Sequence, residues 1–334
     1  METVVITDGK YRSSIAAARA LGRAGYRVVV TQTRKDASLE PPVFTSRFVA
    51  QGRWIGGAAA DPDYPDRLLA LLGEYERPVL FCVGAVTLNA VAQQRERFAK
   101  VCDFLIAPPE VLDQLTDKEA VHARCEALGI PVPREYTGEP DSYPVVIKPH
   151  CGEKFGLKAR DRYRVARDRR EYEAALAAMG AYDASPIVQQ KVDGPGAGAS
   201  LLLDRDSRLV GAICHRRIRE YPAAGGPSTC CESFYDEDMI RHACRLLQSF
   251  QFVGLAMVEF KGDCVLEVNP RIWGSFPMTE QAGSPIAVRY AQAAAGAALD
   301  YQPRDYAAGV RMRFLLNDTV AMLEGKEFSI NVIS

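Results

Sequence analysis

Residues 254–275 read GLAMVEFKGDCVLEVNPRIWGS, and this stretch decides the fold. Leu255 to Phe260 reads as one strand and Val265 to Asn269 as a second, joined by a turn around Gly262-Asp263. A three-residue turn centred on Asp263 places Glu259 directly opposite Glu267, with Asn269 on the same face and Val258, Phe260, Leu266 and Val268 toward a core. Carboxylates directly across a ladder repel one another, and a bound cation relieves that repulsion. Two carboxylates and an amide oxygen are hard ligands, suited to a Mg2+ ion that nucleotide phosphates also hold. The alternative is a solvated hairpin with a chance Glu pair, in which Asn269-Pro270 only turns the chain and Arg271 is a surface cation.

Outward toward the N-terminus the pattern alternates. Val4 to Thr7, Tyr26 to Thr31 and Val79 to Val83 read as short buried strands. Between them lie helical stretches, one with Ile15, Ala18 and Leu21 on one face and Gly25 as its stop, another marked by Leu68, Leu71 and Leu72. Alternation of this kind implies βαβ units and a parallel sheet, so the lobe up to residue 108 is expected to be Rossmann-like. Its first β–α turn, Thr7 to Ser14, lacks the Gly-x-Gly-x-x-Gly needed for close approach to a pyrophosphate, which argues against a nicotinamide dehydrogenase. A helix from about Asp117 to Leu128 follows, with Thr116 and Glu119 as a capping box and Gly129 as its stop. From Pro144 onward the signals become those of an α+β region: short strands, Gly-containing loops, hairpins, and helices near 168–179 and 236–250.

Composition narrows the classes. The 334 residues are 48% hydrophobic and 25% charged, with a formal net charge of -1, so no global field steers the chain to nucleic acid or to a membrane. No apolar run reaches membrane-spanning length, and Val4-Val5-Ile6 follows the start without a signal-peptide layout. Nine cysteines, none in Cys-x-x-Cys spacing, read as reduced thiols of a cytoplasmic protein. A homodimer is the general expectation for a soluble enzyme.

The hairpin resembles the magnesium-binding hairpin of ATP-grasp enzymes, in which two acidic residues and an Asn precede Pro-Arg. The resemblance implies that Glu259, Glu267 and Asn269 hold Mg2+ (or Mn2+), and that Arg271 contacts the transferring phosphate or the acyl phosphate. An always-charged planar donor suits charge developing on phosphate oxygens. Other segments share the likeness. Leu115-Thr116-Asp117-Lys118, with Gly129 to Pro133 beyond its helix, resembles the domain entry whose Lys contacts nucleotide phosphate; Lys118 otherwise sits at the wrong end of a helix for a cation. YPVVIKP, Tyr143 to Pro149, is similar to the strand whose Lys, here Lys148, reaches the α- and β-phosphates. The loop from His150 to Lys158 is expected to close over the triphosphate, with Gly152, Gly156 and Lys158 as contacts. It carries fewer glycines than the family pattern, and Glu153 adds a negative charge. Ile187 to Val192 resembles the adenine clamp, with Gln190 where Glu is common and backbone groups of Lys191 and Val192 on the adenine edge; a plain buried strand with a Gly turn is the other reading.

A second hairpin, Ser200 to Asp204 and Leu209 to Ile218, ends in a basic run. Alternation puts His215, Arg217 and Arg219 on one face ahead of the Gly225-Gly226-Pro227 loop. These residues suit an anion, either ATP phosphate or a substrate carboxylate, with Arg217 joining Arg271 as a catalytic arginine; an edge strand protected by charge is the alternative. Cys151 and Cys214 have no activating partner and receive no nucleophilic role, and His215 is read as substrate-binding or structural.

The resemblance implies a Rossmann-like (pre-ATP-grasp) lobe at 1–108, an ATP-grasp small lobe at 109–186, a C-terminal lobe at 187–300 and a tail at 301–334 packed on the core. It implies an ATP- and Mg2+-dependent carboxylate–amine ligase acting through an acyl phosphate on small-molecule substrates. The alternatives are a carboxyphosphate-forming or other acyl-phosphate enzyme of the same fold and a non-catalytic ATP-binding regulatory module.

Overall fold

The computed structural model describes residues 1–34, 39–150, 157, 163–220 and 228–324. The chain opens with β1 (Thr3–Ile6), α1 (Arg12–Arg23), β2 (Arg27–Arg34), β3 (Gln51–Gly56), α2 (Tyr64–Leu72), β4 (Val79–Phe81), α3 (Ala85–Gln93) and α4 (Arg95–Ala99). The four strands form a parallel sheet of order β3-β2-β1-β4. β1 lies inside it with all four residues buried, which is why it reads as an unbroken apolar run rather than an alternating one. α1 ends where Gly25 adopts φ +89°, the left-handed conformation that closes helices.

Next come α5 (Pro109–Thr116) and α6 (Lys118–Ala127). The cap of α6 differs from the capping box read in the sequence. Asp117 is the N-cap, accepting from the backbone N–H of Glu119 (2.9 Å) and Ala120 (3.1 Å). Thr116 instead ends α5 and donates its hydroxyl to the Asp113 carbonyl. Both residues can cap, and continuation of α5 decides between them.

A small antiparallel sheet of order β6-β5-β7 follows, from β5 (Val145–Lys148), β6 (Arg164–Ala166) and β7 (Ile187–Gln190), with α7 (Arg169–Gly180) against it. The larger sheet has six antiparallel strands in the order β12-β11-β8-β9-β10-β13. They are β8 (Gly196–Leu203), β9 (Leu209–Glu220), β10 (Ser228–Phe234), β11 (Gly254–Lys261), β12 (Cys264–Asn269) and β13 (Arg311–Arg313). α8 (Glu237–Ser249), α9 (Pro277–Gln281), α10 (Ile286–Ala294) and α11 (Leu315–Glu324) complete the described chain. The strand read over Val310 to Leu316 is shorter than expected, because α11 begins at Leu315.

Two apolar cores each draw on both large sheets. One joins Val5 and Leu80 to Leu201, Leu247 and Val258; the other joins Val30 and Phe81 to Leu202, Met257 and Trp273. The small sheet has its own core of Val145, Ile147, Ala166, Tyr172, Ala175, Met179 and Val188. The first 108 residues are thus welded to the six-stranded sheet by shared burial, at about 1.5–3 kcal/mol per large apolar side chain, while the small sheet keeps a separate core. No described helix is long and apolar enough to cross a membrane.

Candidate active site

The β11–β12 hairpin brings Glu259 opposite Glu267, by a different route from the one the spacing suggests. The turn holds two residues rather than three: Lys261 pairs with Cys264 and Phe260 with Val265. Gly262 supplies φ +53° at its first position, as two-residue hairpins require. Leu266 is then an extra residue bulged out of β12, and the bulge restores the pairing of Glu259 with Glu267 and of Met257 with Asn269. For the same reason Leu266 does not face the core. Val265 is fully buried in its stead, together with Val258, Phe260 and Val268, and Leu266 is half-buried.

Lys118 and Arg217 pair with the two carboxylates, Lys148 acts on Glu267, and Arg271 reaches the group through Asn269. Lys118 Nζ lies 3.3 Å from Glu267 Oε2. Arg217 Nη2 donates to Glu259 Oε2 at 2.5 Å. Asn269 Nδ2 donates to Glu259 Oε1 (3.1 Å), and Arg271 Nη2 donates to Asn269 Oδ1 (3.0 Å). Arg271 also donates to the Ile272 carbonyl. Arg217 can reach β11 because two glycines strip β8 between them. A Cβ on Gly196 would lie 3.1 Å from Arg217 Cδ, and one on Gly198 would lie 2.7 Å from His215 Cε1.

The fourth cation is Lys148. Among the described residues neither it nor Arg271 forms an ion pair with a carboxylate. Burial and the neighbouring Lys118 hold the Lys148 ammonium down to about 8, against the pull of Glu267 and Glu135. Burial pushes the Glu259 carboxyl up, with Arg217 opposing the push and Glu267 adding to it. Burial works against ionisation of Glu267 as well, yet Lys118, Lys148 and Arg217 hold it below the usual carboxylate range.

Among the described residues no three His, Cys, Asp or Glu side chains gather into a metal cage. The hairpin offers a more open donor set, two opposed carboxylates and the Asn269 amide oxygen. That set fits Mg2+, which keeps water and substrate phosphate as its other ligands.

The remaining sequence candidates are placed unevenly. Gly152, Gly156 and Lys158 lie outside the described residues, as does the Gly225-Gly226 loop. At the end of β7, the Lys191 N–H already donates to the Pro144 carbonyl (3.1 Å). That N–H is not free for an adenine edge; the Lys191 carbonyl and the Val192 N–H have no backbone partner among the described residues. Gln190 is exposed, and the Lys191 ammonium pairs with Asp193. The basic strand does not gather its charges on one anion. Arg217 goes to Glu259, Arg219 goes to Asp318, and His215 is buried with Nε2 against Ser275 Oγ (3.0 Å). Burial and Arg217 push the His215 imidazole down to about 3, so it is neutral. Cys214 is buried, its thiol pushed up to about 12 by burial, and the described cysteines are all free thiols.

Two groups escaped sequence reading. His150, at the end of β5, sits between Asp183 Oδ2 (2.8 Å from Nδ1) and Glu119 Oε1 (2.7 Å from Nε2), tying that strand end to α6. His122, Glu135 and Gln189 form a second cluster, with Glu135 Oε1 2.8 Å from His122 Nδ1 and 2.7 Å from Gln189 Nε2. His122 and Gln189 signal themselves only as polar residues within apolar helix and strand patterns, and Glu135 and His150, in polar surroundings, lack even that signal.

The family model described as ATP-grasp domain matches residues 115–275. No curated protein sequence matches the chain. Solved structures do. A biotin carboxylase–βγ-ATP complex from Campylobacter jejuni superposes with a TM-score of 0.68 at 16% identity, covering 93% of this chain and 74% of that one. The biotin carboxylase domain dimer of Hydrogenobacter thermophilus 2-oxoglutarate carboxylase, holding MgADP, ADP and bicarbonate, does so with a TM-score of 0.65 at 15% identity, covering 93% and 73%. At these identities the likeness shows the fold.

Proposed function

We propose, from the ATP-grasp domain that residues 115–275 form, that this protein is an ATP- and Mg2+-dependent ligase that converts a small-molecule carboxylate to an acyl phosphate and joins it to an amine. One observation carries the reading. Lys118, Lys148 and Arg217 converge on Glu259 and Glu267, with Arg271 one step away on Asn269, and neither Lys148 nor Arg271 has an ion-pair partner among the described residues. Half-buried cations left without an ion pair call for an anion, and a metal-bound polyphosphate supplies one.

In this reading Glu259, Glu267 and Asn269 hold the metal, which when bound neutralises charge on the β- and γ-phosphates. Lys118 and Lys148 hold the phosphate chain in place. Release of Lys118 and Arg217 from their carboxylates as the nucleotide enters would turn both cations toward phosphate. Arg271, braced by Asn269 and the Ile272 carbonyl, presents a fixed donor edge to the transferring phosphoryl group. The carboxylate oxygen attacks the γ-phosphorus and ADP leaves; the amine then attacks the acyl carbon, the C–O bond to phosphate breaks, and inorganic phosphate and the amine's proton depart, with positioning and charge doing the catalysis. The adenine would lie against the carbonyl of Lys191 and the N–H of Val192, beside Gln190. Gly152, Gly156 and Lys158 would cover the phosphates.

The same reading assigns 1–108 to a Rossmann-like (pre-ATP-grasp) lobe facing the acceptor site, 109–186 and 187–300 to the two ATP-grasp lobes, and 301–334 to a tail. It also takes the protein as a homodimer of the cytoplasm, working on small molecules. The Hydrogenobacter structure holds bicarbonate, which supports a second reading: bicarbonate takes the carboxylate's place and the product is carboxyphosphate.

The test is ADP release with pooled carboxylates and amines, and separately with bicarbonate alone. Release that needs both pools supports the ligase, and release with bicarbonate alone supports the second reading. Tight MgATP binding without substrate-dependent ADP would mark a regulatory module instead.

A further inference from the structure

We infer that His122 is a positioning residue for Glu267, acting through the bulge at Leu266; the inference rests on the reading of Glu267 as a metal ligand. Lys118 and His122 are four residues apart on α6 and so share one face of that helix. They hold consecutive residues of β12. Lys118 takes the Glu267 carboxylate, and His122 Nε2 takes the Leu266 carbonyl at 3.2 Å. A carbonyl can only accept, so Nε2 is the donor in that contact.

The ring is fixed from the other side. Nδ1 lies 2.8 Å from Glu135 Oε1 and 3.2 Å from Gln189 Nε2, and Gln189 itself donates to Glu135. His122 is 4% exposed, so the ring has no room to swing away. Gln189 belongs to β7 and Glu135 bridges to it, so the imidazole links the small sheet to the hairpin.

The consequence is geometric. Leu266 is the residue that shifts the register of β12, and without the shift Glu267 would not face Glu259. A one-residue slip moves every following side chain to the opposite face of the sheet. The donor on the Leu266 carbonyl therefore holds the bulge, and with it the aim of the carboxylate. Partners one step behind a metal ligand orient it, and their loss typically costs about 10–100-fold in metal affinity.

Two conservative substitutions separate this role from plain packing. In His122→Gln the amide nitrogen takes the place of Nε2 and keeps the Leu266 carbonyl. In His122→Asn it reaches only the place of Nδ1 and loses that carbonyl. Mn2+ affinity is measured by electron paramagnetic resonance with a non-hydrolysable ATP analogue present, and analogue affinity is measured in the absence of metal. The expected result is a loss of Mn2+ affinity of about 10–100-fold in His122→Asn. His122→Gln stays within about threefold of wild type, and metal-free nucleotide affinity stays within about twofold in both variants. Wild-type Mn2+ affinity in His122→Asn, or an equal loss in both variants, overturns the inference. Wild-type Mn2+ affinity in Glu267→Gln would instead overturn the metal reading of the hairpin, and the inference with it.

Discussion

The six-stranded sheet carries a buried ion cluster near each edge, and the two differ in how far their charges are satisfied. Near β10 and β13, Asp318 is fully buried and its oxygens accept four hydrogen bonds. Oδ1 takes Arg219 Nε (2.8 Å) and Thr229 Oγ1 (3.0 Å); Oδ2 takes Arg219 Nη2 (2.7 Å) and Arg313 Nε (2.6 Å). A carboxylate offers about four such positions, so this cluster is closed. Near β11 and β12, Glu259 and Glu267 pair with Arg217 and Lys118, Arg217 also meets Glu220 at 3.9 Å, and Lys148 and Arg271 pair with no carboxylate among the described residues. A saturated cluster is a fastener for the fold. A cluster with surplus cations is built for something else to complete it. Both draw on distant sequence, Asp318 on Arg219 and Glu267 on Lys118, but the proposed donor set Glu259, Glu267 and Asn269 lies within one hairpin.

The comparison breaks first on Glu267. Glu267→Gln keeps the shape of the side chain and removes its charge. ADP formation should vanish while the melting temperature stays within a few degrees of wild type. Turnover at the wild-type level would remove Glu267 from any metal site. Arg271→Ala comes next. Its guanidinium is braced by Asn269 and the Ile272 carbonyl and pairs with no carboxylate among the described residues, so its loss should fall on the transition state. The expected drop in kcat is about 10²–10³-fold, with ATP affinity changed by no more than about threefold. Steady-state kinetics beside calorimetric binding checks the split, and equal losses in both would indicate a ground-state binding role.

Asp318 should behave in the opposite way. Asp318→Asn leaves Arg219 and Arg313 without their shared anion, which costs about 3 kcal/mol of stability, toward the low end for a broken buried pair because both arginines still reach water. Activity per folded molecule should be unchanged. Hydrogen bonds from Arg219, Arg313 and Thr229 hold the Asp318 carboxyl down to about 2, against its burial. A depressed folded pKa contributes stability above the unfolded value near 4, and that contribution is lost as pH falls from there toward 2. Chemical denaturation of wild type and Asp318→Asn between pH 5 and 2.5 should show the two curves converging. Curves that stay apart would exclude Asp318 as the group that titrates.

What the sequence made legible follows the same division. β1 could be read because a strand buried on both faces is an unbroken apolar run, and the β11–β12 hairpin because its two strands are local and its acidic residues face one another. The two-residue turn and the Leu266 bulge could not be read. The bulge is met from outside the hairpin by His122, 144 residues earlier in the chain. The same holds for Arg219, whose alternation with Arg217 suggested one shared anion while its partner stands 99 residues downstream. Asp117 rather than Thr116 caps α6 because α5 runs on to Thr116, a choice that local capping chemistry leaves open. Lys118 and Lys148 were visible as lysines in suggestive places, but their convergence on Glu267 depends on how α6 and the small sheet seat against the hairpin.

The smallest effect, and the sharpest on the open cluster, is a pH dependence. Lys148 is held at about 8 by burial and by Lys118, so in the free protein it loses its proton within the working range. A polyphosphate beside it favours the ammonium and raises that value on binding. MgATP affinity should therefore be flat below pH 7.5 and fall as pH rises through 8, by at most about tenfold per unit. Lys148→Arg, which stays charged throughout, should flatten the profile whatever it does to the absolute affinity. On folding the sign reverses. A lysine whose folded pKa is depressed binds fewer protons folded than unfolded between about 8 and its ordinary value near 10.5, so its contribution to stability rises with pH in that window. Affinity falling while stability rises over the same pH range assigns both to Lys148. A flat affinity profile in the wild-type protein would place the phosphates away from Lys148.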